Sequence, residues 1–171
     1  MINWLSFWQN ITRTLENLGD WGALLFLRLI LAWEFYEAGI TKLNGENWFD
    51  NIQQNFPFPF NSISTDVSWF LATWVEILGG IGLALGLLTR FWSLSLMVLT
   101  VIAILGVHWP EQWQGLDELF KGYAISDKGF GNYKLPLIFL VMLIPLLLKG
   151  SGKLSADYVF YRLLKLNKSP Q

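Results

Sequence analysis

The sequence predicts an all-α protein: a four-helix transmembrane bundle with N- and C-terminal interfacial amphipathic helices. Three observations lead there. Apolar residues make up 53% of the 171 residues and charged ones only 15%, where soluble domains carry about 25% charge. Counting glycine in place of tyrosine raises the apolar share to roughly 59%, against about 45–50% in an ordinary globular chain. The apolar residues are gathered into four stretches near the length of a membrane span, and both ends of the chain carry one-sided apolar stripes. The length suits one domain, taken as residues 1–171.

The N-terminal segment comes first. Trp4, Trp8, Ile11, Leu15 and Leu18 recur at helical spacing with Asn10, Arg13 and Asn17 opposite, the pattern of a helix lying along a membrane surface. A helix resting on the loops of its own bundle would show the same stripe. Residues 1–21 lack a basic start, an apolar run and a small-residue cleavage site, so no cleavable signal peptide is expected.

Four spans follow. The first covers about residues 22–43 and is interrupted by Arg28, Glu34 and Glu37. The second, 69–88, holds one charge, Glu76, and the glycines Gly79, Gly80, Gly82 and Gly86. Gly82 and Gly86 have the spacing that lets helices approach closely, and Gly79-Gly80 is expected to leave room for a ligand beside Glu76. The third span, 91–108, is free of Asp, Glu, Lys and Arg and ends in the chain's one histidine, His108. The fourth, 133–148, contains Pro136, suited to a first helical turn, and Pro145, expected to kink the far end. Only Leu88-Thr89-Arg90 joins spans two and three, which makes them antiparallel neighbours. Beyond span four, Ser155 can cap a helix over Ala156–Leu166, with Tyr158, Phe160 and Tyr161 toward the apolar side.

Orientation follows from lysine and arginine in the flanks. Arg13, Arg90, Lys149, Lys153, Arg162, Lys165 and Lys168 lie on one side, and Lys42, Lys121, Lys128 and Lys134 on the other. The first side is therefore read as cytoplasmic, with both termini there, in a bacterial inner membrane. The connections 44–67 and 109–132, rich in tryptophan and phenylalanine, lie outside, and their aromatic content suits the membrane interface and contact with partner proteins.

Several functions are disfavoured at once. A net charge of −1 argues against nucleic-acid binding. The absence of cysteine removes disulfides, thiol nucleophiles and Cys-bound metals, and a single histidine leaves no HExxH motif and no bis-His haem. No metal site is expected.

Ionisable groups within a bilayer are costly and mark candidate sites. Alternating span directions put Glu34, Glu37, Lys42, Glu76 and His108 in one outer layer, below the aromatic connections, with Arg28 in the inner half. The expected result is a polar outer-leaflet pocket with an aromatic lid, and Arg28, Glu34, Glu37, Lys42, Glu76 and His108 are the candidate ligand-binding residues. Each also has a structural reading. Glu76 has two candidate partners, Arg28 and Lys42. Arg28 and Lys42 suit snorkelling, Glu34 an interfacial position beside Trp33 and Tyr36, and His108 a helix end.

Three blocks of residues resemble the DoxX family of small four-span membrane proteins. Leu27-Arg28-Leu29 with Ala38-Gly39-Ile40-Thr41-Lys42-Leu43 is similar to the family's first span. Glu76-Ile77-Leu78-Gly79-Gly80 with Gly86-Leu87-Leu88-Thr89-Arg90 is similar to its second span and hairpin. Gly131-Asn132-Tyr133 and the run from Gly150 to Asp157 are similar to the two ends of its fourth. The resemblance implies an inner-membrane four-helix bundle, with Arg28, Lys42 and Glu76 as motif positions and His108 as a polar site. Some relatives are subunits of a thiosulfate:quinone oxidoreductase and others associate with oxidative-stress enzymes. Glu34 and Glu37 lie outside the matched pattern, and the connection 44–67 is longer than a minimal member needs.

The expected function is a redox-associated membrane subunit that binds a quinone-like or other small apolar ligand. A quinone is the cofactor that the pocket suits, because carboxylates and imidazole exchange protons with its head group while aromatics hold the ring. Lacking an evident haem or flavin motif, the chain would act only with a partner enzyme. The alternative is a non-catalytic anchor or assembly module working through its outer connections. A third reading is a transporter or metal-handling protein using Glu76, Glu34 or Glu37 and His108, since carboxylate plus imidazole can bind a divalent metal; four spans without an inverted repeat argue against secondary transport.

Overall fold

The structure, a computed structural model, describes residues 4–109, 115 and 133–166. All regular structure among these residues is helical. Helix α1 spans Trp4–Asn44, α2 Thr65–Leu85, α3 Thr89–Ala103, α4 Lys134–Lys149 and α5 Ala156–Leu166. A single π turn, Ile104–His108, continues α3, and three short 3₁₀ turns lie between α1 and α2. The expected connection 109–132 falls outside the described residues except at Trp109 and Gly115.

Helix α1 departs from the sequence expectation. The N-terminal amphipathic segment and the first span form one unbroken helix of 41 residues, about 60 Å long at 1.5 Å per residue. Nothing near residue 21 removes a backbone donor as proline would. Gly19 and Gly22 weaken a helix by only about 1 kcal/mol each, which does not end one.

Helix α2 starts four residues earlier than expected, at the Ser64 cap, whose Oγ accepts the Val67 N–H at 3.3 Å. It ends at Gly86 with φ +64°, the left-handed conformation that favours glycine at a helix terminus. The Gly86 N–H donates to Leu83 O, and the Leu87 N–H to Gly82 O. Reversal therefore occurs at Gly86-Leu87-Leu88, just before the expected hairpin. Thr65–Leu85 and Thr89–His108 are each long and apolar enough to cross a membrane. Helix α4 has 16 residues, about 24 Å, and α1 carries four charges within its apolar stretch, residues 22–43.

The core joins all four long helices: Leu31, Ala32 and Phe35 of α1, Leu83 of α2, Leu96 of α3, and Leu143 and Leu146 of α4. Glycines set the helix spacing. A Cβ on Gly80 would lie 2.9 Å from Ala32 O, and one on Gly39 would lie 2.9 Å from Ile77 N, so α1 and α2 meet nearly backbone to backbone. A Cβ on Gly79 would meet the Leu96 side chain at 3.0 Å. The space expected beside Glu76 at Gly79-Gly80 is thus filled by α1 and α3, and these glycines serve packing.

Candidate functional site

Two polar centres stand at opposite ends of the bundle. At one end, Lys42 in the last turn of α1 faces Glu76 of α2. The close approach at Gly39 brings them together, since the same Cβ that meets Ile77 would also lie 3.0 Å from the Glu76 Cβ. Lys42 Nζ donates to both carboxylate oxygens, at 2.8 and 2.7 Å. The side chains are 19% and 10% exposed, so the pair is largely withdrawn from solvent.

An aromatic roof covers this pair. Phe49 is its hub: its ring stands edge-on to Trp48, Phe56 and Trp69, with centroids 5.0, 5.1 and 5.0 Å away. Phe49 and Phe56 are buried. The Phe56 ring sits in a notch at Gly106, where any Cβ would lie 2.2 Å from Phe Cδ1. Gly106 belongs to the π turn, a local widening of the helix often found at functional positions. That turn ends at His108, whose Nδ1 is buried and has no hydrogen-bond partner among the described residues.

Beneath the roof lies a cavity of about 650 Å³, lined by Lys42, Glu76, His108 and Ser68 at its polar end and mainly by apolar side chains elsewhere. Ser68 Oγ is also buried without a partner among the described residues. Buried polar atoms are ordinarily paired, so these two are open to a bound molecule. The arrangement offers a fixed ion pair, an imidazole nitrogen and a hydroxyl beside aromatic rings.

The six residues singled out from the sequence do not all converge. Lys42, Glu76 and His108 line this cavity. Glu34 also lines it, from an exposed position on α1. Glu37 is exposed and is not among the lining residues. Arg28 is fully buried, about 21 Å along α1 from Lys42.

Arg28 organises the other end. Its Nη1 donates to Leu83 O at 3.1 Å and its Nη2 to Leu154 O. Leu83 lies in the last turn of α2, where the helix dipole favours a cation. Gly86 is pressed against the guanidinium, since a Cβ there would fall 2.0 Å from Arg28 Nη1. Asp157, which the sequence reading missed, closes the same centre. Its Oδ1 accepts the Leu88 N–H at 2.8 Å and its Oδ2 the Thr89 N–H at 3.0 Å, capping α3. The available signal was the position of Asp157 in the first turn of a C-terminal helix, but its target lies 68 residues away.

A wider groove of about 970 Å³ opens at this end. Among its charged lining residues, Lys153 pairs with Asp20 at 2.7 Å, Asp157 caps α3, and Arg90 donates to Leu148 O at 3.2 Å. The hydrogen bond and charge pairing with Lys153 hold the Asp20 carboxyl below the usual range, outweighing a smaller opposing effect of desolvation. Among the described residues no group of three His, Asp or Glu is placed to hold a metal ion.

Comparison with known proteins places this geometry in a family. The DoxX family model matches residues 23–109, which includes Arg28, Lys42, Glu76 and His108 and stops short of Asp157. An uncharacterized protein of Haemophilus influenzae (strain ATCC 51907 / DSM 11121 / KW20 / Rd) is 43% identical over 143 residues, 84% of this chain and 86% of that protein. No solved structure matches. On the extent of both matches, the chain belongs to the DoxX family.

Proposed function

We propose that this DoxX protein is a four-span protein of the bacterial inner membrane whose outer-leaflet cavity binds a quinone-like or other small apolar molecule. The cavity serves a redox enzyme that supplies the electrons. One observation carries the reading: a cavity that is mainly apolar has, at one end, an ion pair and two buried polar atoms without partners, His108 Nδ1 and Ser68 Oγ. A ring carbonyl or hydroxyl placed there would satisfy them, with Phe49, Phe56 and Trp48 against the ring.

The membrane arrangement rests on the two apolar helices and on the packing of α1 and α4 with them into one core. Residues 20, 86–90 and 148–157 come together at one end of that core. The excess of lysine and arginine on this side supports a cytoplasmic placement for both termini. The N-terminal part of α1 and the described part of α5 expose apolar side chains, among them Trp4, Trp8, Phe160 and Leu164, which suits contact with the inner membrane surface.

Native mass spectrometry of protein released from nanodiscs, beside Glu76→Gln, tests the proposal. A retained quinone-mass or other small ligand, lost in the variant, is the expected result. Equal retention of bulk phospholipid alone in both forms would refute the pocket. The family's role would then be sought in an anchor or assembly module acting through residues 44–67 and 109–132.

A further inference from the structure

We infer that the ligand of this cavity is a bilayer-dissolved amphiphile with a hydrogen-bonding head and a hydrocarbon tail, and that it enters sideways between α2 and α3. The inference rests on the binding pocket proposed above. It adds the ligand's second half and its route.

The cavity is roofed toward the connection 44–64 and open toward the side. The centre of its roof is Phe49 and Phe56, which are 7% and 4% exposed, with Trp48 at the rim. Its lining on α2 and α3 includes Leu71, Phe91, Leu94 and Val98, which are 45%, 58%, 52% and 49% exposed. These four side chains share the cavity wall and the outer face of the bundle, so the cavity meets the surroundings there. In a membrane those surroundings are lipid tails, and a polar solute would find no aqueous path at this mouth.

Polarity is graded along the wall. From His108 down to Phe91, α3 runs about 25 Å. Near His108 the cavity presents Lys42, Glu76 and two unpaired polar atoms. Farther down, the hydroxyls of the α3 wall are already used within the helix: Thr100 Oγ1 donates to Leu96 O and Ser95 Oγ to Phe91 O. They offer a ligand nothing further as donors, and their neighbours Leu94, Val98 and Leu99 are hydrocarbon. A head group that needs polar contacts is held at one end, and a tail gains by lying along the rest. Glu34, on α1, is the only carboxylate besides Glu76 in the lining.

The test uses full-length protein in nanodiscs, with quenching of tryptophan fluorescence as readout. The probes are a decyl-tailed dimethoxybenzoquinone, the same ring without its tail, and a nitroxide-labelled phosphatidylglycerol, all dosed per lipid. The tailed ring or the labelled phospholipid is expected to bind at least about ten-fold more tightly than the tail-less ring, and whichever does so identifies the source of the tail. Val98→Trp, which fills the mouth at a surface-facing position, should abolish that advantage. Leu94→Trp provides a second obstruction should Val98→Trp fail to fold.

Equal affinity for tailed and tail-less rings, untouched by either variant, overturns the lateral route and leaves the pocket standing. Absence of saturable quenching by all three probes overturns the pocket itself.

Discussion

Replacing Lys42 with methionine tests whether the Lys42–Glu76 pair is as dry as its geometry indicates. The contacts of 2.7 and 2.8 Å correspond to a gross attraction of about 6 kcal/mol at an effective dielectric of about 20. Much of that offsets the desolvation of two charges. The measurable quantity is what remains when one partner leaves. A buried carboxylate stripped of its cation costs about 3–5 kcal/mol. Because the Lys42 side chain retains 19% exposure, the lower part of that range, about 3 kcal/mol, is expected for Lys42→Met. The double variant Lys42→Met/Glu76→Leu leaves no orphaned charge and should fall within about 1 kcal/mol of the wild type. The coupling should therefore reach about 2 kcal/mol. Equilibrium unfolding in mixed micelles at increasing dodecyl sulfate, followed by tryptophan fluorescence, measures all four corners of the cycle. If Lys42→Met costs less than about 1 kcal/mol and the double variant equals the sum of the singles, the pair is solvated and the dry-pocket argument fails.

Three further outcomes follow from the geometry. Gly106→Ala places a Cβ 2.2 Å from Phe56 Cδ1 and should expel that ring, at about 1–3 kcal/mol; a red shift in tryptophan emission checks it, and Phe56→Leu in the same chain should restore part of the loss. Asp157→Asn keeps one accepting oxygen, loses one of two backbone bonds and removes a negative charge from the α3 N-terminus. It should lower stability by about 1–2 kcal/mol, read by thermal unfolding. The Asp20 carboxyl is held low by Lys153, so the stability that it contributes is complete above the ordinary aspartate range and disappears as pH falls through its folded value. Carbon-detected NMR titration should show the depressed midpoint in the wild type and a return toward the ordinary range in Lys153→Met.

How far the sequence disclosed the site depends on which residues are considered. That Glu76, Lys42 and His108 share one end follows from alternating helix direction, and the structure brings them to one cavity. Which cation Glu76 takes was not readable, because Arg28 and Lys42 are both on α1 and the choice depends on the register of α1 against α2. That register is set by the backbone contacts at Gly39 and Gly80, which a pattern of glycines does not fix. The aromatic connection is a similar case. Phe56-Pro57-Phe58-Pro59-Phe60 reads as one uniform run, yet Phe56 is buried while Phe58 is 83% exposed. The difference is made by a notch at Gly106, some fifty residues onward. Helix α1 misled in another way: a change from amphipathic to apolar character near residue 21 marks a change of surroundings, and the backbone hydrogen bonds pass through it unbroken.

Both polar centres leave buried atoms without partners among the described residues, Arg28 Nε and Thr89 Oγ1 at one and Ser68 Oγ and His108 Nδ1 at the other, but only the second pair lines a cavity, and this difference separates architecture from site. Arg28 is the more deeply buried charge, and on burial alone it would be the stronger functional candidate. Its two terminal nitrogens are, however, committed to Leu83 O and Leu154 O, and Gly86 is pressed against the guanidinium. It lines neither cavity described above. A ligand could reach it only by dismantling the end of α2. At the Lys42–Glu76 end the charges satisfy each other, while the neutral atoms around them, Ser68 Oγ and His108 Nδ1, are buried without partners among the described residues at the polar end of the cavity. Such atoms oppose folding unless something binds them. Exchanging the two centres' properties makes the contrast testable. Arg28→Lys keeps the charge but loses the fork that spans two carbonyls, so it should weaken folding without changing ligand retention. Ser68→Ala removes an unpaired hydroxyl, so it should leave folding unchanged or improved while weakening the ligand. If Ser68→Ala instead destabilises the protein and leaves ligand retention unaltered, Ser68 belongs to the architecture, and the site is smaller than the cavity that contains it.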